Sequence, residues 1–221
     1  MDFKIGAEQR EMIAAVRQLA QNEFKQDAPK WMDGTFPWPN IKKLAGLGVL
    51  GMSVPEEYGG LGLSILDSAL ILEEIAKVDY VTAMAVLGEA GVQTRVISHY
   101  APKAIKERIL PRVISGDCIL AICMTEPHAG TDVANYRTNT KRHGNHLVLN
   151  GTKTLISRAE EAGMFVVFTR VDGKAGREGI GCVLKAVSNF LKPSVSITRF
   201  SGGNSQPLNC TSCRFSPPMV W

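Results

Sequence analysis

The sequence predicts an α+β protein, with an all-α helical domain over residues 1–116 followed by a small antiparallel β-barrel domain over residues 117–221. Two observations support this division. Before Gly116 the apolar residues recur with the helical period of about 3.6, and after it they form short runs with the strand period of two. Several short strands at near-regular spacing are typical of a small barrel or sandwich.

The helical part begins with an amphipathic segment over about residues 7–25. Its apolar side chains fall on one face of a helix, and they are Met12, Ile13, Val16, Leu19, Ala20 and Phe24. The prolines on either side of Trp38 interrupt the chain. A short helix ended by glycines follows over residues 41–47.

Three further helices are predicted before Gly116. Ser64 followed by Asp67 is an N-cap pattern that predicts a helix start, and apolar residues continue that helix to Ala76. Two more helices are predicted over residues 80–98 and 102–115. The second should be interrupted or end near Pro111, because proline lacks the N–H group that a helix interior requires.

The strands begin with the apolar run at residues 118–124. The strongest hairpin signal is Asn150-Gly151, because this pair tolerates the positive φ angles of a type I′ turn. It separates two strand-like segments, residues 146–149 and 152–157. The remaining predicted strands cover residues 164–171, 179–186 and 194–200.

The composition excludes several classes of protein. Of the 221 residues, 45% are hydrophobic and 21% are charged, which is typical of a globular chain rather than a disordered one. The net charge of +4 is too small to indicate a nucleic-acid binder, although it suits an anionic cofactor or substrate. No apolar run reaches the ~18 residues of a membrane-spanning helix. The first residues lack a signal or transit pattern, so we expect a cytoplasmic protein.

The familiar motifs of nucleotide and metal sites are incomplete. Gly59-Gly-Leu-Gly62 follows a loop rather than a strand, which favours a turn between helices over a dinucleotide cradle. Cys210 and Cys213 form a single C-x-x-C without a second ligand pair, so we expect no metal site. The five cysteines are an odd number, which argues against a disulfide framework.

The loop within residues 121–132 carries the most chemical information. Glu126 precedes a proline, which favours an extended conformation, and Gly130 permits close approach of the backbone to another group. Thr125 and Thr131 add hydroxyls, and exposed N–H groups in such a loop bind anions or the edge of a heteroaromatic ring. In the alternative interpretation, local side-chain hydrogen bonds cap the turn, made by Thr125, Glu126, Thr131 and Asp132. The residues alone leave both interpretations open.

The same loop resembles a family signature. Thr125-Glu-Pro-His-Ala-Gly-Thr-Asp132 is similar to the T-E-P-x-A-G-S/T-D motif of the acyl-CoA dehydrogenase family. Further segments resemble that family in order and spacing, at residues 47–51, 54–62, 73–76, 110–117 and 150–157. The resemblance spans residues 3 to about 215, and the family's N-terminal helical and middle β-domains match the division predicted above.

The resemblance implies flavin chemistry. Members of the family bind FAD, remove the α-proton and the β-hydride of an acyl-CoA thioester, and pass electrons to an electron-transfer flavoprotein. By position, the implied FAD-binding residues are Ile122, Met124, Thr125, Gly130, Thr131, Leu155, Ile156 and Ser157. Thr131 stands where the family places Ser or Thr near both FAD and the acyl-CoA substrate.

The sequence departs from the family pattern in three respects. Leu155 stands where the family has Trp, which removes an aromatic surface beside the flavin, and His128 replaces a commonly small residue. The sequence ends at Trp221, so the resemblance implies that the C-terminal helical-bundle domain is missing. In the family that domain supplies the glutamate base and most of the homo-oligomer interface. No catalytic residue is assigned, because no replacement base is evident among Glu73, Glu74 and Glu126.

Three functions therefore stay open. The preferred one is an FAD-dependent acyl-CoA dehydrogenase, an oxidoreductase acting on CH–CH groups, that lacks its catalytic base. The second is a related flavin oxidase or monooxygenase. The third is a non-catalytic module that binds FAD or acyl-CoA or serves in assembly.

Overall fold

The structure is a computed structural model that describes residues 5–143, 146–186 and 208–215. The predicted strand over residues 194–200 lies outside this part of the chain. The chain divides into two compact units. The helical unit comprises Met1–His99 and Lys103–Asp117, and the β unit comprises Tyr100–Pro102 and Cys118–Trp221.

The first half of the described chain is helical. Its α-helices are α1 (Ala7–Leu19), α2 (Trp38–Gly46), α3 (Ile65–Ala76), α4 (Tyr80–Leu87), α5 (Gln93–Tyr100) and α6 (Lys103–Ile114). One π-helical turn, Ala20–Phe24, extends α1, and another, Gly88–Val92, joins α4 to α5. The long helices predicted over 7–25 and 80–98 are therefore confirmed. Of the helices described, none is long and apolar enough to cross a membrane.

Local side chains set the ends of these helices. The Ser64 hydroxyl accepts a hydrogen bond from the Asp67 N–H (3.2 Å), and the Asp67 carboxylate accepts one from the Ser64 N–H (3.0 Å). This reciprocal capping box confirms the predicted start of α3. The predicted break near Pro111 is wrong, because α6 continues to Ile114. A proline this close to the helix end removes few hydrogen bonds, and its own carbonyl still accepts one from the Ser115 N–H (3.0 Å).

The predicted apolar face of the first helix is buried. Val16, Ala20 and Phe24 have no solvent exposure. Beside this face, Arg17 makes a bidentate ion pair with Glu74 of α3, with N–O distances of 2.8 and 3.0 Å. Apolar burial and this pair together fix α1 against α3.

The β unit contains a six-stranded mixed sheet that curls into a half-barrel. Its strands are β1 (Leu120–Cys123), β2 (Asn139–His143), β3 (His146–Lys153), β4 (Met164–Val171), β5 (Ile180–Ala186) and β6 (Leu208–Phe215). Along one path the strand order is β1-β4-β2-β3-β6, and β5 pairs with β4. The strand predicted at 164–171 is thus present with the predicted ends, and those predicted at 118–124 and 179–186 are present but shorter.

The predicted antiparallel sheet is wrong, because two of its pairings are parallel. β1 runs parallel to β4, and β2 runs parallel to the end of β4, whereas β5 is antiparallel to β4 along its length. The period-two pattern locates strands but carries no information on their direction. The hairpin of β2 and β3 separates β1 from β4 in the chain, so β1 reaches β4 by a crossover rather than by a tight turn.

The predicted turn at Asn150-Gly151 is also wrong. Both residues lie inside β3, where Asn150 pairs with Asn139 and Gly151 pairs with Cys210 of β6. The register of β3 against β6 shifts between Leu149 and Gly151, and Gly151 has a φ of 149°. The glycine therefore lies at an irregularity in the strand, which is a position that favours glycine.

One face of the sheet forms the core of the β unit. The buried cluster consists of Ala121, Cys123, Leu147, Leu149, Ala162, Phe165, Val167 and Val183. Ile156 and Ala159 pack against this cluster from the segment that follows β3. The core therefore supports the segment in which three of the implied FAD-binding residues lie.

Candidate functional site

Two loops leave the sheet close to each other and contain nearly all the predicted site residues. We call residues 124–138, between β1 and β2, the first loop, and residues 154–163, between β3 and β4, the second loop. The Thr154 N–H donates a hydrogen bond to the Thr125 carbonyl (2.9 Å). This bond joins the start of one loop to the start of the other.

A tight turn shapes the beginning of the first loop. Glu126 and Ala129 exchange two backbone hydrogen bonds, of 2.9 and 3.1 Å. Pro127 and His128 occupy the turn between them, and Gly130 and Thr131 follow it in exposed positions. Glu126 thus forms an isolated antiparallel β-bridge with Ala129, which is compatible with the extended conformation expected of a residue before proline.

The Glu126 carboxylate is buried inside this loop and has several donors. It accepts hydrogen bonds from the N–H groups of Arg137 (2.8 Å) and Thr138 (3.1 Å), and it pairs with the Lys153 amine (2.9 Å). Burial raises the pKa of Glu126, but the hydrogen bonds from Arg137, Lys153 and Thr138 outweigh it and hold the pKa below its ordinary value. Glu126 is therefore an ionised structural group.

Lys153, the last residue of β3, lies at the centre of the site's hydrogen-bond network. Its amine donates to the Met124 carbonyl (2.7 Å) and lies 3.6 Å from the centre of the Tyr136 ring, in addition to pairing with Glu126. Only 5% of the Lys153 side chain and 1% of the Glu126 side chain are exposed. Burial lowers the pKa of Lys153, while Glu126 acts in the opposite direction.

The second loop has an unusual backbone. Leu155 (φ 57°) and Arg158 (φ 61°) both occupy the left-handed region, which costs about 1–3 kcal/mol for a residue other than glycine. Leu155 is also 67% exposed, despite its apolar side chain. Strained backbone and an exposed apolar side chain in one short segment are typical of a ligand-binding loop.

The interpretation in which local side-chain bonds cap the turn is supported only for Glu126. Its carboxylate accepts hydrogen bonds from the N–H groups of Arg137 and Thr138 at the end of the same loop, whereas among the described residues the side chains of Thr125, Thr131 and Asp132 make no hydrogen bond to the turn. Within the same described residues, the N–H groups of Thr125, Ile156 and Ser157 have no hydrogen-bond acceptor. These donors remain available to a ligand.

The structure brings some of the predicted site residues together and leaves others further along the loops. Thr125 is joined to the second loop through Thr154, and the second loop holds Leu155, Ile156 and Ser157. Ile122 and Met124 are half-buried at and just after the end of β1. Gly130 and Thr131 are exposed on the first loop, and no hydrogen bond connects them to the second loop within the described chain.

The sequence pattern did not identify Lys153 or its ion pair with Glu126. The signal was the alternation of Leu147, Leu149, Gly151 and Lys153 within one continuous strand, in which the side chains of Leu147, Leu149 and Lys153 are buried. The false turn at Asn150-Gly151 concealed that alternation. Among the described residues, no cluster of side chains could hold a metal ion.

The residues present fit the polar edge and the apolar face of a flavin ring. Three backbone N–H donors and the hydroxyls of Thr125 and Ser157 are available on the two loops. Apolar surface comes from the half-buried side chains of Ile122 and Met124, just before the first loop and at its start. The exposed side chain of Leu155 adds more in the second loop. A heteroaromatic ligand with both kinds of surface needs such a donor set.

The fold and this site define a helical unit followed by a β unit whose two loops form a candidate ligand site. Comparison with known proteins assigns that arrangement to a family. The N-terminal domain of acyl-CoA dehydrogenases matches residues 6–117, and the middle domain of acyl-CoA dehydrogenases matches residues 121–204. The chain belongs to the acyl-CoA dehydrogenase family.

Individual relatives agree with this assignment. A short-chain-specific acyl-CoA dehydrogenase of Clostridium acetobutylicum is 33% identical over 83% of this chain and 49% of its own length. An NADH-dependent acryloyl-CoA reductase of Anaerotignum propionicum is 33% identical over 83% of this chain and 47% of its own. A glutaryl-CoA dehydrogenase of Mycobacterium smegmatis, solved with FADH2, superposes with a TM-score of 0.84 at 25% identity, over 97% of this chain and 55% of that structure. The chain spans about half the length of the curated relatives that it matches.

Proposed function

We propose that the chain is the helical and β portion of an FAD-dependent acyl-CoA dehydrogenase, and that residues 124–131 and 154–157 hold the flavin. The observation that carries the proposal is the hydrogen bond from the Thr154 N–H to the Thr125 carbonyl (2.9 Å). It holds together the two segments for which the family resemblance implies flavin contact. The FADH2-bound relative supports the choice of cofactor.

Each proposed residue has a chemical part in holding the cofactor and substrate. When bound, FAD would supply the hydride acceptor for oxidation of a CH–CH group. The N–H groups of Thr125, Ile156 and Ser157, with the Thr125 hydroxyl, donate hydrogen bonds to the polar edge of the ring. Ile122 and Met124 exclude water from its apolar face. Gly130 allows close approach of the backbone, and Thr131 binds near the acyl-CoA thioester.

The proton-abstracting base is not assigned to this chain. Glu126 lies between the proposed FAD-binding residues, but its carboxylate is buried and already accepts hydrogen bonds from Arg137 and Thr138 and pairs with Lys153. Glu74 is likewise held by Arg17 and Lys77 in the helical unit. A general base must reach the substrate proton, and neither carboxylate is available for that.

This observation favours a second candidate function. Acting alone, the chain would bind FAD or acyl-CoA without turnover, as a binding or assembly module. With a base supplied from elsewhere, an acyl-CoA thioester would be the substrate and an electron-transfer flavoprotein the acceptor. A flavin oxidase or monooxygenase activity, a homo-oligomer and a cytoplasmic location stay predictions of the sequence.

The proposal is tested by the visible spectrum of the purified protein after incubation with FAD and removal of the excess. We expect the protein to retain a flavin absorption band, to bind FAD saturably, and to give the circular dichroism spectrum of a folded protein. Anaerobic addition of short and branched acyl-CoAs then separates the two candidates. Bleaching of the flavin band supports a dehydrogenase, and an unbleached band that shifts on addition supports a binding module. A folded protein that retains no flavin overturns the dehydrogenase and the FAD-binding form of the module, and one that binds neither FAD nor acyl-CoA overturns both binding functions.

A further inference from the structure

We propose that Lys153 is a positioning residue, which fixes the direction of the Thr125 N–H toward the bound flavin. This inference rests on the proposed FAD site. It starts from the hydrogen bond that the buried Lys153 amine donates to the Met124 carbonyl (2.7 Å). The Met124 carbonyl and the Thr125 N–H belong to one planar trans peptide, in which they point in opposite directions. Holding the carbonyl therefore sets the direction of the N–H.

The next peptide along the chain is held as well. The Thr125 carbonyl accepts a hydrogen bond from the Thr154 N–H (2.9 Å), and Thr154 directly follows Lys153. Thr125 thus has the peptide on each side of it fixed by neighbouring residues of the same strand end. This arrangement leaves the Thr125 N–H as an oriented donor, without a partner among the described residues.

Glu126 holds the positioning amine in place. The carboxylate lies 2.9 Å from the Lys153 amine and is itself held by the N–H groups of Arg137 (2.8 Å) and Thr138 (3.1 Å), with the His128 ring nitrogen 3.5 Å away. The Tyr136 ring, 3.6 Å away, shields the amine on a further side. The amine therefore has fixed partners in several directions, which is the condition for a side chain to orient a neighbouring group.

An ion pair that serves only stability should respond to mutation differently from one that positions a neighbouring group. A buried pair that serves only stability is often replaceable by apolar groups, because removing both charges leaves no uncompensated one. A pair that positions the Met124 carbonyl has no such replacement, since the carbonyl loses its donor. The double variant Lys153→Met with Glu126→Gln separates the two roles.

The experiment compares wild type, Lys153→Met, the double variant and the control Lys141→Met, which changes an exposed lysine of β2. Three quantities are measured on the full chain: thermal midpoint, amide hydrogen exchange at Thr154, and the FAD dissociation constant. We expect Lys153→Met to lower the midpoint, to speed exchange at Thr154 at least tenfold, and to raise the dissociation constant at least tenfold. In the double variant the midpoint recovers, while exchange and FAD affinity stay impaired.

Two results would overturn the positioning role. One is recovery of FAD affinity together with the midpoint in the double variant. The other is unchanged exchange at Thr154 in Lys153→Met. Failure of wild type to bind FAD is a separate outcome, because it overturns the proposed function and the ligand half of this inference. The exchange data still show whether Lys153 holds the hydrogen bond between the Thr154 N–H and the Thr125 carbonyl in place.

Discussion

Gly151 of β3 lies so close to Thr138 that a Cβ at position 151 would be 2.5 Å from the Thr138 Cα. The glycine φ of 149° is also outside the range that other residues prefer. The contact brings the end of the first loop against the strand that leads into the second loop. A side chain at position 151 would therefore disturb the support of the candidate site.

We expect Gly151→Ala to lower the free energy of unfolding by about 3 kcal/mol, because it adds both overpacking and backbone strain. Gly130→Ala is the matched control, since its Cβ would meet no atom within 4 Å. Urea denaturation followed by circular dichroism measures both variants. Equal stabilities of the two variants would show that position 151 has no steric requirement.

Glu74 makes the helical unit sensitive to acid. Hydrogen bonds from Arg17 and Lys77 lower the pKa of Glu74 to about 2, from 4.5. Its contribution to stability is complete above pH 4.5 and is lost as the pH falls through about 2. We expect Glu74→Gln to cost about 1–2 kcal/mol at pH 7 and only a small part of that near pH 2.

The neighbouring Glu73 provides the control for that prediction, because its side chain is 55% exposed and pairs only with Lys77 in the described part of the chain. Glu73→Gln should cost less than about 0.5 kcal/mol at any pH. Unfolding by urea is followed in a Trp221→Phe background through the fluorescence of Trp31 and Trp38, which both lie in the helical unit. A pH-independent cost of Glu74→Gln would contradict the account.

Lys185 of β5 should make the β unit more stable in mild alkali. It lies opposite Phe165 in the sheet and is 5% exposed, and burial lowers its pKa to about 8 from 10.5. The folded state therefore releases this proton before the unfolded state does, so stability rises between pH 8 and 10.5. Lys185→Met should remove that rise, because the titrating amine is gone.

Thermal unfolding of wild type and Lys185→Met at several pH values between 7 and 10 checks this expectation. Lys174→Met, at an exposed lysine after β4, controls for the loss of a positive charge. A parallel pH dependence in all three proteins would show that Lys185 is not the group responsible.

Leu155 offers a test of the second loop as flavin contact. Its side chain is 67% exposed, so a larger ring at this position has room. We expect Leu155→Trp to tighten FAD binding about 3- to 10-fold, because an aromatic stacking contact contributes about 0.5–1.5 kcal/mol. Leu155→Met, which changes shape without adding a ring, should leave the dissociation constant unchanged. Equal FAD affinities of the Trp and Met variants would show that the flavin does not contact residue 155.

Local signals predicted much of the fold. The 3.6-residue period over Met12–Phe24 and the Ser64 cap describe interactions within one helix, and the structure confirms both. The parallel pairing of β1 with β4 and the placement of Gly151 inside β3 depend on partners distant in the chain. A local sequence pattern contains no information on such partners, so the predictions of an antiparallel sheet and a hairpin turn were wrong.

The candidate site divides in the same way. The donors of the first loop were found from the residues around Thr125, and the second loop was found from the family resemblance. The bond between Thr154 and Thr125 and the pair of Lys153 with Glu126 became visible only in the structure. Each of these contacts spans more than 25 residues of sequence, beyond the reach of motif spacing.

FAD binding at the two loops of the β unit can be located residue by residue in an NMR titration of ¹⁵N-labelled protein with FAD. We expect saturable shifts in the amide signals of Thr125, Gly130, Thr131, Leu155, Ile156 and Ser157. Signals of the helical-unit residues Arg17 and Glu74, more than 50 residues apart in sequence yet paired in α1 and α3, serve as internal references and should stay unchanged. Saturable shifts confined to other residues, or no shifts at all with FAD in excess, would contradict it.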